Sequence, residues 1–348
     1  STTIYTGDNP STMTFTWINT PGVWIFLSAI LGGLIQKATF RDFKVVFIAT
    51  IKQMSQTIIT MLCVLGCAKI MGYAGITGAT TDVQSNSDPY YHFASIDQIQ
   101  SNLISTTCDV ETAIANNPPT IAALPNYTIP KSTAFVLTAS ATDPEGNALT
   151  YTWEQADDAS VIITNENLGD TTSGASFRSL TGTSNPTRYF PKLSTVLAGN
   201  LKNLSDWEAV STVARVSNFK VTVRDNNAAG VQTQTANQQI TVGTDGPFAI
   251  ISSMVYNNAN IPFTWDVVNT NAAPYNVTNV KIDYTTNNGS TWTVISNSTP
   301  NDGSEILDFS SFATNANLKI RVSALGNVFY AIKNVTVSQA ATCNGTAP

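Results

Sequence analysis

His92 is the one histidine among 348 residues, and it stands in Pro89-Tyr90-Tyr91-His92-Phe93. Catalysis of the Ser-His-Asp or Cys-His kind passes a proton through an imidazole, so any such site would have to use His92. No G-x-S-x-G elbow presents a nucleophile, and neither a phosphate-cradling loop nor a dinucleotide fingerprint occurs. Zinc hydrolysis requires several imidazoles, as in H-E-x-x-H-x-x-G-x-x-H, where two lie one helical turn apart and a third closes the site. One histidine cannot hold the ion. Zinc is therefore not an expected cofactor, the chain as it stands is expected to be no enzyme, and His92 is expected to be structural.

Hard oxygen donors are more plentiful. Asp143-Pro144-Glu145-Gly146-Asn147, Asp157-Asp158 and Asp225-Asn226-Asn227 sit in turn-like sequence, and calcium takes six to eight oxygens. Asp143, Glu145, Asn147 and Asp225 are accordingly the candidate calcium ligands. Asp, Asn and Gly are also ordinary turn formers, and no EF-hand spacing is present, so the turn reading stands beside the calcium one. The four cysteines, Cys63, Cys67, Cys108 and Cys343, are too few and scattered for a disulfide framework. Cys63 and Cys67, four apart in an apolar run, read as buried thiols on one helix face. Cys108 and Cys343 could be bridged in an oxidising compartment, to each other or to partners, and spacing does not pair them. The N-x-S/T triplets at Asn126, Asn203 and Asn276 follow from an Asn- and Thr-rich composition.

The elements that must position these groups fall into contrasting parts. Of a net charge of -6, the first 77 residues carry +3, from five basic and two acidic side chains, which leaves -9 for the rest. Only 11% of residues are charged and no basic patch occurs, so nucleic acid is not an expected partner. Phe15 to Ile35 is uncharged and long enough for a membrane-crossing helix, which needs about 20 residues. Trp17, Trp24, the Gly32-Gly33 pair and the basic Lys37, Arg41 and Lys44 suit an aromatic belt, close helix packing and a cytoplasmic end. Gln53 to Ala68 is a second apolar run, ending at Lys69. Between them Phe43, Phe47, Ile51, Met54 and Ile58 recur at helical spacing, opposite Lys44 and Lys52.

Beyond the proline-marked linker Asn116-Asn117-Pro118-Pro119, the period changes to two. Leu149, Tyr151 and Trp153 alternate with polar residues, as do Phe219, Val221 and Val223; Phe135 to Ala141 and Gln239 to Val242 add further strands. This predicts an immunoglobulin-like or cadherin-like sandwich over 118–245, with a loop excursion between Gln155 and Trp207. A second sandwich, 246–340, is predicted from Ile261, Phe263, Trp265 and Val267, from Val280, Ile282 and Tyr284, from Leu318, Ile320 and Val322, and from Val335 and Val337. Asn287-Asn288-Gly289-Ser290 marks a hairpin turn between Tyr284 and Trp292. Trp153, Trp265 and Trp292 are read as core. The fold class is mainly β, two Ig-like or fibronectin-III-like β-sandwiches preceded by an α-helical, membrane-type N-terminal segment.

Two resemblances extend this reading. Residues 11–76, from FTWINTPGVWIFLSAILGGLI through MLCVLGCAKIMGYAGI, resemble an internal stretch of the L-lactate permease family, transporters with many membrane helices. That implies two transmembrane helices in 1–76, too few to enclose a substrate path. Residues 71–339 resemble the C-terminal part of secreted bacterial reprolysin-like zinc metalloproteases, in IMGYAGITGATTDVQ, in PPTIAALPNYTIPKSTAFVLTASATDPEGNALTYTWEQAD and in FKVTVRDN. This resemblance implies that Met71 is the Met-turn methionine, that 77–117 is a remnant of the catalytic domain, and that 77–348 is extracellular. The two meet at the shared words IMGYAGI, so a chimera with a seam between Ile70 and Ile76 is expected, and 341–348 is expected to be a truncated tail. The expected function is that of non-catalytic sandwich modules from such a protease. They would bind protein or glycan surface ligands, with membrane contact through the N-terminal helices. The alternative is a lactate permease fragment unable to transport alone.

Overall fold

The structure is a computed structural model that describes residues 2–5, 11–13, 21–50, 52, 90–104 and 114–341. It divides into two units, Ser1–Tyr73 and Ala74–Pro348. In the first, β1 (Thr2–Tyr5) and β2 (Ser11–Met13) form an antiparallel pair, followed by α1 (Pro21–Ile35) and α2 (40–50). Pro21 suits the first helical position, where its missing N–H costs nothing.

α1 ends in a closed motif. Lys37 adopts φ 57°, Ala38 N–H donates to the Gly33 carbonyl at 2.9 Å and Lys37 N–H to that of Leu34 at 3.1 Å. These bonds satisfy carbonyls that a helix end leaves unpaired. Thr39 then starts α2: the Asp42 carboxylate accepts its backbone N–H at 2.8 Å and its hydroxyl at 2.6 Å. A Cβ at Gly33 would overlap the Phe43 ring, so of the expected glycine pair it is Gly33 that seats the second helix on the first.

The membrane-type expectation finds no support among the described residues. The apolar run expected from Phe15 is helical over the 15 residues Pro21–Ile35 among the described residues, a rise of about 22 Å against the roughly 30 Å of a hydrocarbon core. No helix among the described residues is long and apolar enough to cross a membrane. The second expected span, Gln53 to Ala68, lies outside the described residues, as do Met71, the 70–76 seam and all four cysteines.

In the second unit, α3 (Phe93–Ile104) precedes the strands. The first half of the β structure holds β3 (Thr120–Ile121), β4 (Tyr127–Ile129), β5 (Ala134–Thr138), β6 (Ala141–Thr142), β7 (Thr150–Gln155), β8 (Thr187–Phe190), α4 (Leu193–Leu197), β9 (Lys202–Asn203), β10 (Glu208–Ala209), β11 (Arg215–Arg224) and β12 (Thr233–Val242). The second half holds β13 (Ala249–Ile250), β14 (Met254–Tyr256), β15 (Phe263–Asp266), β16 (Asn279–Thr285), β17 (Thr293–Pro300), β18 (Ser304–Glu305), β19 (Asn317–Ala324) and β20 (Phe329–Ser338). A four-stranded sheet runs β4-β12-β11-β7, a three-stranded one β13-β15-β18, and a seven-stranded one β17-β16-β19-β20-β5-β8 with β14 beside β20.

The seven-stranded sheet contains strands from both predicted sandwiches. β5 pairs with β20, Phe329 opposite Phe135 and Tyr330 opposite Ala134, so one sheet passes from one half into the other. One hydrophobic core fills both halves. At its centre Phe135 stacks on Phe190 at 5.0 Å, and Phe177 and Phe219 meet Phe190 edge-on at 5.1 and 4.9 Å, geometries that aromatic quadrupoles favour.

The stretch expected to be a loop excursion stitches this arrangement together. Val196 of α4 packs on Ala134 and Tyr330, and Lys319 Nζ of β19 donates to the Leu197 carbonyl at 2.6 Å. Buried Glu208 pairs with Arg188 at 2.9 Å and accepts the Lys192 N–H at 2.8 Å. Between the halves Asp245 accepts the Tyr275 hydroxyl and the Asn269 carboxamide, each at 3.0 Å. Trp153 and Trp265 are core residues, but Trp292 is half-buried, its ring capped by the Arg321 guanidinium at 3.8 Å.

Candidate functional site

The candidate calcium ligands lie where three chain segments meet. Asp143 follows β6 and opens a turn that Gly146 closes with φ 77°. Asp143 Oδ1 accepts the N–H groups of Glu145 at 3.1 Å and Asn147 at 2.8 Å, and the Asn147 carboxamide at 3.1 Å. Asp225, just past β11, is buried; its Oδ1 accepts the N–H groups of Asn227 at 3.2 Å and Gln232 at 3.0 Å.

Asn116, which composition did not single out as a ligand, joins the two turns. Its Nδ2 donates to Asp225 Oδ2 at 2.5 Å and to the Gly230 carbonyl at 2.8 Å, and its Oδ1 accepts Asn227 Nδ2 at 3.0 Å and Asn147 Nδ2 at 3.4 Å. The signal for it was positional: it is the first residue of the proline-marked linker. Glu145 turns away, accepting Asn117 Nδ2 at 2.6 Å. Asp143, Asn147 and Asp225 are thus brought together and Glu145 stands at the rim. Amide N–H groups satisfy the carboxylates, leaving Asp143 Oδ2 as the buried oxygen without a hydrogen-bond partner. Among the described residues no group of three or more His, Cys, Asp or Glu is placed to hold a metal ion. Burial opposes ionisation of Asp225, yet the Gln232 and Asn227 N–H groups and the Asn116 carboxamide outweigh it and hold the carboxyl below its ordinary value.

His92 belongs to a second polar cluster, on the other face of β7 and β11. Its Nδ1 lies 2.5 Å from Glu154 Oε1, while Glu154 Oε2 accepts the Phe93 N–H at 2.9 Å. A buried carboxylate from β7 therefore satisfies a donor that the first turn of α3 leaves unpaired. Lys220 pairs with Asp97 at 2.6 Å and lies 4.8 Å from the Phe93 ring centre; Arg224 donates to the Tyr91 carbonyl at 2.8 Å. His92 anchors a helix, and no nucleophile is joined to it by any of these contacts.

Comparison with known proteins adds a family to the N-terminal part. The family described as L-lactate permease matches residues 1–95, a longer stretch than the expected 11–76, so 77–95 falls within both resemblances. An L-lactate permease of Streptococcus iniae is 29% identical over 73 residues, which are 21% of this chain and 15% of that protein. The chain therefore spans about 15% of the length of this curated relative. Among solved structures, Drosophila N-cadherin EC1-4 is 11% identical with a TM-score of 0.23, over 64% of this chain and 50% of that one. The FN1-FN3 domains of chicken CNTN1 are 13% identical with a TM-score of 0.21, over 64% and 66%. Residues 1–95 are similar to L-lactate permeases, and the described residues from 114 onward are mainly β-sheet.

Proposed function

We propose that the chain is a non-enzymatic binding and structural protein, in which the β structure of 114–341 presents surfaces to protein or glycan ligands. The observation that carries this reading is the shared seven-stranded sheet. It merges two sandwiches over one core, while the polar clusters at Asp225 and His92 tie chain segments together by hydrogen bonds. A finer form of the proposal is that these modules are the non-catalytic C-terminal portion of a secreted reprolysin-like metallopeptidase. Its support is the wording of 71–339 and the order of the modules, and no role is assigned to zinc. Calcium at Asp143, Asn147 and Asp225 is compatible with the oxygen-rich turns but is not required by them.

The N-terminal residues support a second reading, a permease fragment. The family match over 1–95 favours membrane association of that part. So do the exposed apolar side chains of α1 and α2, Ile35 at 76% and Phe40 at 87% among them, since apolar surface of that extent marks an interaction site.

Incubation of the purified full chain with casein, with and without added zinc, separates these ideas. No cleavage is expected under either condition; cleavage abolished by a chelator would end the non-enzymatic reading. Flotation of the chain with anionic liposomes, lost on deletion of 1–95, is expected if the helices associate with membranes.

A further inference from the structure

On the outer face of the four-stranded sheet, Asn218 of β11 and Asn237 and Gln239 of β12 stand exposed. With Asn126, Lys220 and Phe93 of α3 they line a groove of about 570 Å³, within the usual range of about 300–1,000 Å³ for small-ligand sites. Its carboxamides form a connected row. Gln239 Nε2 donates to Asn218 Oδ1 at 3.2 Å, Asn218 Nδ2 donates to Asp157 Oδ1 at 2.8 Å, and Asn126 Oδ1 accepts the Gln239 N–H at 2.9 Å. The last bond also closes the edge of β12 at Gln239, which removes strand addition by a peptide at that point.

The charges beside the groove are already matched. Lys220 is paired with Asp97 at 2.6 Å and Asp157 with Arg215 at 3.1 Å, so neither an anion nor a cation finds an unneutralised partner. What remains on offer is the exposed Asn237 carboxamide, the Gln239 carbonyl oxygen and the second N–H of each of Asn218 and Gln239, beside an aromatic ring. That combination suits a ligand made of hydroxyl groups on apolar rings and carrying no charge.

We propose that this groove binds a neutral polysaccharide, a proposal that rests on the non-enzymatic binding reading. The hydroxyls meet Asn218, Asn237 and Gln239, and Phe93, whose ring carries the Lys220 ammonium over one face, gives the groove an apolar border.

Native electrophoresis of the full chain through gels cast with hydroxyethylcellulose, galactomannan or soluble starch tests it, with polygalacturonate as the anionic control. At least one neutral polymer is expected to retard the chain, and polygalacturonate is not. Asn218→Ala combined with Gln239→Ala should weaken retardation about tenfold, as expected for the loss of two hydrogen-bonding side chains. Because Asn218 also holds Asp157, Asn237→Ala serves as a variant with less risk to folding and should weaken binding a fewfold; thermal melting confirms that each variant is folded. No retardation by any neutral polymer overturns the proposal, as does equal retardation by polygalacturonate. Retardation unchanged in the folded variants overturns the groove while leaving the binding reading intact. New reducing ends in the polymer would instead overturn the non-enzymatic reading itself.

Discussion

Asn116 has no ionisable group, yet it is the residue on which the pole of the first sandwich turns. Four neighbours, Asp225, Gly230, Asn227 and Asn147, meet its carboxamide, and leaving such buried groups unmet costs about 1–3 kcal/mol. Asn116→Ala is therefore expected to destabilise the β structure by about 2 kcal/mol, read from the urea midpoint at unchanged slope. Asp225 makes the same cluster sensitive to acid. Its carboxyl is lowered in the folded protein, so its stabilising contribution is complete above the ordinary aspartate value near 3.9 and fades as pH falls through the lowered folded value. Urea unfolding at pH 5 and pH 3 should show a smaller loss for Asp225→Asn than for the unaltered chain; an identical loss would contradict the assignment. At the other cluster, Glu154→Ala removes the carboxylate that meets both the His92 ring and the Phe93 N–H. It should release α3, seen as faster amide exchange over 93–104 with little change in β12.

The elements show how local chemistry divides an apolar sequence. Lys37 occupies a left-handed conformation that favours glycine, at a cost of about 1 kcal/mol for a residue with a side chain. Lys37→Gly should stabilise the α1–α2 turn by roughly that amount, with higher helix content by circular dichroism. Gly33→Ala should do the reverse, because the added methyl displaces the Phe43 ring and separates the two helices. The strands tell a similar story. β12 was expected only over Gln239 to Val242 and runs from Thr233, since its first half, Thr-Gln-Thr-Ala-Asn-Gln, has no apolar alternation to reveal it. β17 is announced by the hairpin turn before it and by little in its own residues: it is an edge strand, largely exposed, and carries little of the core.

For the molecule, the sheet shared between β5 and β20 makes the two sandwiches thermodynamically one. Residues 114–341 should unfold in a single calorimetric transition, and Phe329→Ala should lower its stability by about 3–5 kcal/mol as expected for a buried aromatic. Two resolved transitions for the two halves would contradict this. Arg188→Met tests the stitching segment in the same way. Glu208 has no solvent exposure, and removing its partner leaves a buried carboxylate unpaired, which costs about 3–5 kcal/mol.

The mainly β class, the core faces of β7, β11, β16 and β19 and the Asn288-Gly289 turn were legible in the residues themselves. They depend on periodicity and on turn chemistry, both of which are local properties. Three matters were settled only by tertiary structure: that β5, paired with β8 of its own half, also pairs with β20 of the other, that the stretch after Gln155 clamps both halves, and that Asp143, Asn147 and Asp225 converge on Asn116. Each is a meeting of residues far apart in the chain, chosen by which surfaces can be buried together, and alternation along a single strand carries no information about its neighbour.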